Sequence, residues 1–94
     1  GEPFEPENQK VLEGLLQKIK KQYPQKTIWC YTGYEYDKDL QPGGKVYTKH
    51  TEPMLSCIDT LVDGRFIEEE KDITLKFRGS RNQRILELGK ERTI

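Results

Sequence analysis

The chain has 94 residues, of which 33% are hydrophobic and 34% charged, and its 16 basic and 16 acidic residues give no net charge. A chain of this length forms at most one small domain. A neutral balance creates no overall field that would draw nucleic acid or an anionic membrane, so neither partner is expected. No apolar run approaches the roughly 20 residues that cross a bilayer, and the first residues carry no signal-peptide pattern. The sequence therefore predicts a cytoplasmic protein.

The first predicted element is a helix over residues 6–23. Pro6 suits the first helical position, and Pro24 ends the helix. Apolar side chains recur at the spacing that places them on one helix face. They are Leu12, Leu15, Leu16, Ile19 and Tyr23.

Two apolar runs predict strands. Residues 27–32 are β-branched and aromatic, and their nearly continuous apolar character is typical of a strand covered on both faces. A short helical turn over 53–57 leads into residues 58–63, which predict a second buried strand. Gly33 and Gly64 close the two runs. This order of elements indicates an α/β fold with parallel strands and helices outside.

The remaining segments are less regular. Residues 37–51 are polar and contain Pro42-Gly43-Gly44, which predicts a long loop. Residues 74–77 predict a short extended piece. The patch of Ile85, Leu86 and Leu88 is too short for periodicity to decide between helix and strand. His50, in the long loop, is either a proton shuttle or an exposed loop residue.

The residues that follow the two predicted strands are candidates for ligand binding. In parallel α/β architectures, ligands collect at the carboxyl ends of the strands. These ends are Thr32-Gly33 and Asp63-Gly64-Arg65. The carboxylate of Asp63 would accept a hydrogen bond from a ligand amine or hydroxyl. Because Asp-Gly is also a common turn pair, the spacing alone leaves a purely structural role open.

Two further groups of side chains have open interpretations. Arg78, Arg81 and Arg84 surround residues 79–83, a donor-rich cluster that would grip a phosphate or a carboxylate, or would simply form a solvated turn. The two cysteines lie within or beside apolar runs and are expected to be reduced and buried. A dithiol redox pair is the alternative for them.

Four motifs, in their order and spacing, carry a resemblance to a known family. They are Gly1-Glu2-Pro3-Phe4, Trp29-Cys30-Tyr31-Thr32-Gly33-Tyr34, Ile58-Asp59-Thr60-Leu61-Val62-Asp63-Gly64-Arg65-Phe66 and Phe77-Arg78-Gly79-Ser80-Arg81-Asn82-Gln83-Arg84. Over nearly its whole length the chain resembles the activating proteins of anaerobic ribonucleoside-triphosphate reductases, which are radical S-adenosylmethionine (SAM) activases of glycyl-radical enzymes. The resemblance implies a partial (β/α) barrel of the radical SAM type, with residues 1–94 as its C-terminal portion.

The resemblance also implies cofactors, a reaction and partners. In that family a reduced 4Fe-4S cluster cleaves SAM, and the resulting 5′-deoxyadenosyl radical takes a hydrogen atom from a glycine of the reductase. The implied partners are the anaerobic reductase itself and an electron donor such as flavodoxin.

The SAM-binding residues that the resemblance implies lie in three of the four motifs. A family motif, Gly-Gly-Glu-Pro, grips the methionine amino group, and Gly1, Glu2 and Pro3 match its last three positions. In related activases an acidic residue and a basic residue two places on contact SAM, and Asp63 and Arg65 match them. Thr32 stands at another strand end that faces the same site.

One departure from the family is large. Its Cys-x3-Cys-x2-Cys motif is absent from these residues, and two separated cysteines cannot replace three clustered thiolates. We therefore expect a fragment without the cluster-binding part, inactive alone. Two alternatives stay open: an activase of pyruvate formate-lyase or another glycyl-radical enzyme, and a non-catalytic α/β module that binds a protein through residues 37–51.

Overall fold

The computed structural model describes residues 1–91, so residues 92–94 of the predicted domain lie outside the described part. The helices and strands, in chain order, are α1 (Pro6–Gln22), β1 (Trp29–Tyr31), α2 (Thr51–Cys57), β2 (Thr60–Asp63), β3 (Arg84–Glu87) and α3 (Leu88–Glu91). A 3-10 turn covers Glu68–Glu70. Within residues 1–91, no helix combines the length and the apolar character needed to cross a membrane.

Helix α1 confirms the predicted first helix, with Pro6 in its first turn. After it, the amide of Tyr23 donates to the carbonyl of Ile19 (2.8 Å). Leu12 and Leu16 pack against the core as the spacing predicts. The prediction is wrong for Leu15 and Tyr23, which remain 50% and 52% exposed.

The three strands form one mixed sheet in the order β1-β2-β3. β1 and β2 are parallel, with Tyr31 opposite Val62, which confirms the expected parallel pair. β3 is antiparallel to β2, with Arg84 opposite Asp63, so the prediction of parallel strands is wrong for it. The chain returns from β2 through residues 64–83 without a crossover α-helix, and a parallel strand would require one or a comparable connection.

The prediction that the first strand is covered on both faces is also wrong. Trp29 and Tyr31 are 41% and 51% exposed. β1 is an edge strand, whose one partner among the described residues is β2, whereas central β2 is buried at all four positions. An unbroken apolar run therefore predicts a buried strand correctly for β2 and incorrectly for β1.

The long loop is irregular as predicted, but it is anchored to the core. Leu40 and Val46 from this loop are buried beside side chains from α2, β2 and α3. Buried Gln9 holds the loop to α1, because its Nε2 donates to the carbonyl of Val46 (2.8 Å) and its Oε1 accepts from the hydroxyl of Thr48 (2.7 Å). No motif or periodicity in the sequence predicts this anchor.

The two remaining segment predictions have different outcomes. Residues 74–77 are not extended, because Asp72 Oδ1 accepts hydrogen bonds from the amide (2.9 Å) and hydroxyl (2.6 Å) of Thr74 and closes a turn. Phe77 then takes a left-handed backbone conformation (φ 66°). The final apolar patch is divided: Ile85 and Leu86 belong to β3, and Leu88 begins α3.

Candidate ligand site at the strand ends

The carboxylate of Glu2 lies at the carboxyl end of β1. Its Oε2 accepts hydrogen bonds from the Thr32 hydroxyl (2.7 Å) and the Phe4 amide (2.8 Å), and its Oε1 accepts one from the Gly33 amide (2.7 Å). The structure thus brings together two predicted site residues, Glu2 and Thr32. A carboxylate offers about four acceptor positions, so Oε1 keeps capacity for a hydrogen bond from a ligand.

An open cavity adjoins this carboxylate. Gly1, Glu2 and Pro3 line one side of it, and Thr32 and Gly33 lie at its strand end. Phe66 and Gln83 also line it. The predicted residues Gly1, Glu2, Pro3 and Thr32 therefore share one cavity, whereas sequence reasoning gave no role to Phe66, although Phe66 ends a motif singled out by resemblance.

Asp63 lies at the end of β2 as predicted, but its carboxylate is fully buried. Its Oδ1 accepts from Arg84 Nε (2.9 Å), and its Oδ2 accepts from Arg84 Nη2 (2.5 Å) and the Tyr36 amide (2.7 Å). Arg84 Nη1 also reaches Asp37 (2.8 Å). These bonds, first of all those to Asp63, raise the pKa of Arg84. Asp63 joins β2, β3 and the start of the long loop, and direct ligand contact by Asp63 stays a prediction.

Arg65 is exposed beside a second cavity, which it lines together with Gly33, Lys45 and Asn82. No hydrogen bond or ion pair to another described residue occupies its guanidinium. Gly64, just before it, has a φ of 102°, which side chains rarely tolerate. Gly33 lines both cavities, so the sites of Glu2 and Arg65 are adjacent.

The guanidinium groups of the predicted arginine cluster largely donate hydrogen bonds to groups of the chain itself. Arg78 Nη1 donates to the carbonyls of Gln83 (2.7 Å) and Arg81 (3.2 Å), and Arg84 is bound to Asp63 and Asp37. These contacts favour a structural turn over an anion grip.

His50 is not the exposed loop residue that one interpretation expected. Its side chain is 20% exposed, and its Nδ1 lies 2.5 Å from Glu13 Oε1 on α1. It follows that the loop end and α1 are joined by an ion pair when the imidazole is protonated. The role of proton shuttle stays a prediction.

Comparison with known proteins now places the chain. A family described as a 4Fe-4S single cluster domain matches residues 1–86. The chain belongs to this family. No solved structure matches it significantly.

The curated proteins that are similar to this chain share one name, anaerobic ribonucleoside-triphosphate reductase-activating protein. That of Haemophilus influenzae is 40% identical over 83 residues, covering 88% of this chain and 48% of the relative. That of Vibrio cholerae is 40% identical over 86 residues, with the same coverage. That of Enterobacteria phage T4 is 33% identical over 89 residues, covering 90% of this chain and 47% of the relative. The chain spans about half the length of the curated relatives it matches, and the resemblance seen in the four motifs is confirmed.

The side chains of the described residues do not fit a 4Fe-4S cluster. Cys57 is buried, and burial together with the charge of Glu2 raises the pKa of the Cys30 thiol to about 11. Cluster ligation and dithiol exchange both need thiolates, which the surroundings of Cys30 disfavour. Within residues 1–91, no three Cys, His, Asp or Glu side chains converge as a metal ion requires. Both cysteines are free in this structure.

Proposed function

We propose that the chain is the C-terminal part of a radical SAM activating protein that generates a glycyl radical on anaerobic ribonucleoside-triphosphate reductase. The observation that carries the proposal is the 33–40% identity, over 88–90% of the chain, to proteins named anaerobic ribonucleoside-triphosphate reductase-activating protein. Because the described residues do not fit the cluster, the proposal assigns the cluster ligands to other residues of such a protein. A partial (β/α) barrel is the proposed architecture of the whole, and the parallel β1-β2 pair is compatible with it.

In this proposal the chain contributes one end of the SAM site. The free acceptor position on Glu2 Oε1 suits the ammonium of the methionine moiety, and Gly1 and Pro3 line the same cavity. Thr32 supports the site through its hydrogen bond to Glu2. A charged acceptor facing an ammonium gives a stronger hydrogen bond than a neutral one.

Arg65 supplies the complementary charge. Its guanidinium is exposed and unoccupied by other described residues, so it suits the carboxylate of the same methionine moiety. Asp63, the other predicted contact, would act from beneath the site by holding Arg84 and the Tyr36 amide in place.

The proposed partners are the anaerobic reductase and a flavodoxin-type electron donor, and the proposed location is the cytoplasm. The names of the relatives favour the reductase over pyruvate formate-lyase or another glycyl-radical enzyme as the target. The protein-binding module is less favoured, because Leu40 and Val46 of its docking loop are buried in the chain's own core.

An electron paramagnetic resonance experiment tests the proposal. The protein that contains this chain together with its cluster ligands would be purified without oxygen and incubated with SAM, a reductant and the reductase. A glycyl-radical signal on the reductase, absent without SAM, is expected. A signal on pyruvate formate-lyase alone would favour the alternative target, and no SAM binding at all would overturn the proposal.

A further inference from the structure

The segment that follows β2 is held by two amide side chains from residues 79–83. Gln83 Nε2 donates to the carbonyl of Gly64 (2.9 Å), and Asn82 Nδ2 donates to the carbonyl of Arg65 (2.6 Å). Neither bond belongs to the sheet ladder, which ends at the pair of Asp63 and Arg84. These amides therefore fix the backbone immediately before Phe66.

A hydroxyl fixes the backbone immediately after Phe66. Buried Ser80 accepts a hydrogen bond from the Ile67 amide (3.2 Å) through its Oγ and donates to Asn82 Oδ1 (2.5 Å). Residues 79–83 thus form a clamp around one aromatic residue, Phe66.

The clamp also sets the position of the Phe66 ring. A Cβ built on Gly79 would lie 3.0 Å from both Cδ1 and Cε1 of Phe66, so the ring packs directly on the glycine backbone. The amide of Gly79 donates to Gln83 Oε1 (2.8 Å), which holds that backbone in turn. The ring nevertheless remains 46% exposed and lines the cavity that contains Glu2.

We propose that Phe66 is the aromatic wall of the SAM site, on which the purine ring of the ligand packs, and that Gly79, Asn82 and Gln83 are its positioning residues. This inference rests on the function proposed above. SAM has a flat aromatic group at one end and an amino acid at the other, and the cavity offers an exposed ring beside the carboxylate of Glu2. A ring already fixed by packing loses little freedom on binding, which favours stacking.

Calorimetric titration of the cluster-containing protein with SAM and with methionine tests this assignment. Phe66→Leu should weaken SAM binding about three- to tenfold, the usual range for an aromatic pair, and leave methionine binding unchanged. Phe66→Tyr should bind SAM as the original protein does. The matched control is Phe77→Leu, since Phe77 is also exposed (57%) but packs on Trp29, with ring centroids 5.0 Å apart.

The outcomes separate the two proposals. Failure of the original protein to bind SAM would overturn the proposed function, whereas unchanged SAM affinity in Phe66→Leu would overturn only the role of Phe66. An equal loss of methionine affinity would overturn the purine assignment. Urea unfolding of each variant excludes a folding defect as the cause of lost affinity.

A second variant tests positioning by the clamp. Gly79→Ala should displace the Phe66 ring and reduce SAM affinity in the same way. Combined with Phe66→Leu it should add little, because both changes act on one contact. Additive losses would show that Gly79 does not act through Phe66 and would overturn that part of the proposal.

Discussion

The carboxylate of Glu2 accepts a 2.7 Å hydrogen bond from the hydroxyl of Thr32, thirty residues further along the chain. The Gly33 amide donates to the same carboxylate, so the segment before α1 is fixed to the carboxyl end of β1. A weak three-residue motif and a strand end, each ambiguous in the sequence, thereby form one site.

Glu2→Gln is expected to weaken SAM binding about tenfold or more. The carboxamide loses the negative charge and one acceptor oxygen, while the Thr32 hydroxyl and the Gly33 amide still require acceptors. Calorimetry on the cluster-containing protein measures the change. The control is Glu7→Gln, an exposed carboxylate in the first turn of α1, and equal affinities in the two variants would remove Glu2 from the site.

Asp63→Asn should lower the free energy of unfolding by about 1–3 kcal/mol, because a buried hydrogen-bonded carboxylate is lost beneath Arg84 and the Tyr36 amide. Asp37→Asn removes the other partner of Arg84, but Asp37 is 68% exposed, so its loss should cost less than about 1 kcal/mol. Urea unfolding of both variants decides between these values. Equal losses of unfolding free energy would mean that the buried pair of Asp63 and Arg84 stabilises the fold no more than the exposed pair of Asp37 and Arg84.

Sequence reasoning located the elements that have strong local signals. Pro6, Pro24 and the apolar spacing defined α1, and the unbroken run before Gly64 defined β2. It failed where the neighbouring elements decide: the run containing Trp29 and Tyr31 forms an edge strand whose side chains remain exposed, and β3 is antiparallel because of the path of residues 64–83.

The candidate site, like the fold, is only partly predictable from the sequence. Glu2, Thr32 and the residues after β2, which the sequence and the family resemblance predict as site residues, line two adjacent cavities, and their contact with a ligand stays a prediction. The hydrogen bonds from Arg84 to Asp63, and those by which Gln9 anchors the long loop, join side chains to groups in distant segments. No periodicity or spacing in one sequence reports such contacts.

Gln9→Leu tests the anchor of the long loop. The leucine would fill the space but leave the carbonyls of Phe4 and Val46 and two threonine hydroxyls without their buried partner. We expect a loss of about 1–3 kcal/mol in the free energy of unfolding. Gln17→Leu, at an exposed position on the same helix, is the control and should change stability by less than about 0.5 kcal/mol. A similar loss in both variants would contradict the anchoring role.

Cys30 should react slowly with iodoacetamide. Burial and, secondly, the charge of Glu2 raise the pKa of its thiol from 9.0 to about 11, so at pH 8 it holds roughly a hundredfold less thiolate than an ordinary cysteine. Since the thiol is neutral in the folded chain while the unfolded one ionises near 9.0, this group's contribution to stability should fall as the pH rises from about 9.0 to about 11.

Alkylation followed by peptide mass measurement gives the Cys30 rate separately from that of Cys57. Glu2→Gln removes the repulsive charge, so it should lower the pKa of Cys30 and accelerate its alkylation, while Glu7→Gln should not. An acceleration confined to Glu2→Gln would place the carboxylate and the thiol in one electrostatic environment at the end of β1. If Cys30 of the original protein, without substitutions, were alkylated at the rate of a free cysteine, Cys30 would be open to solvent.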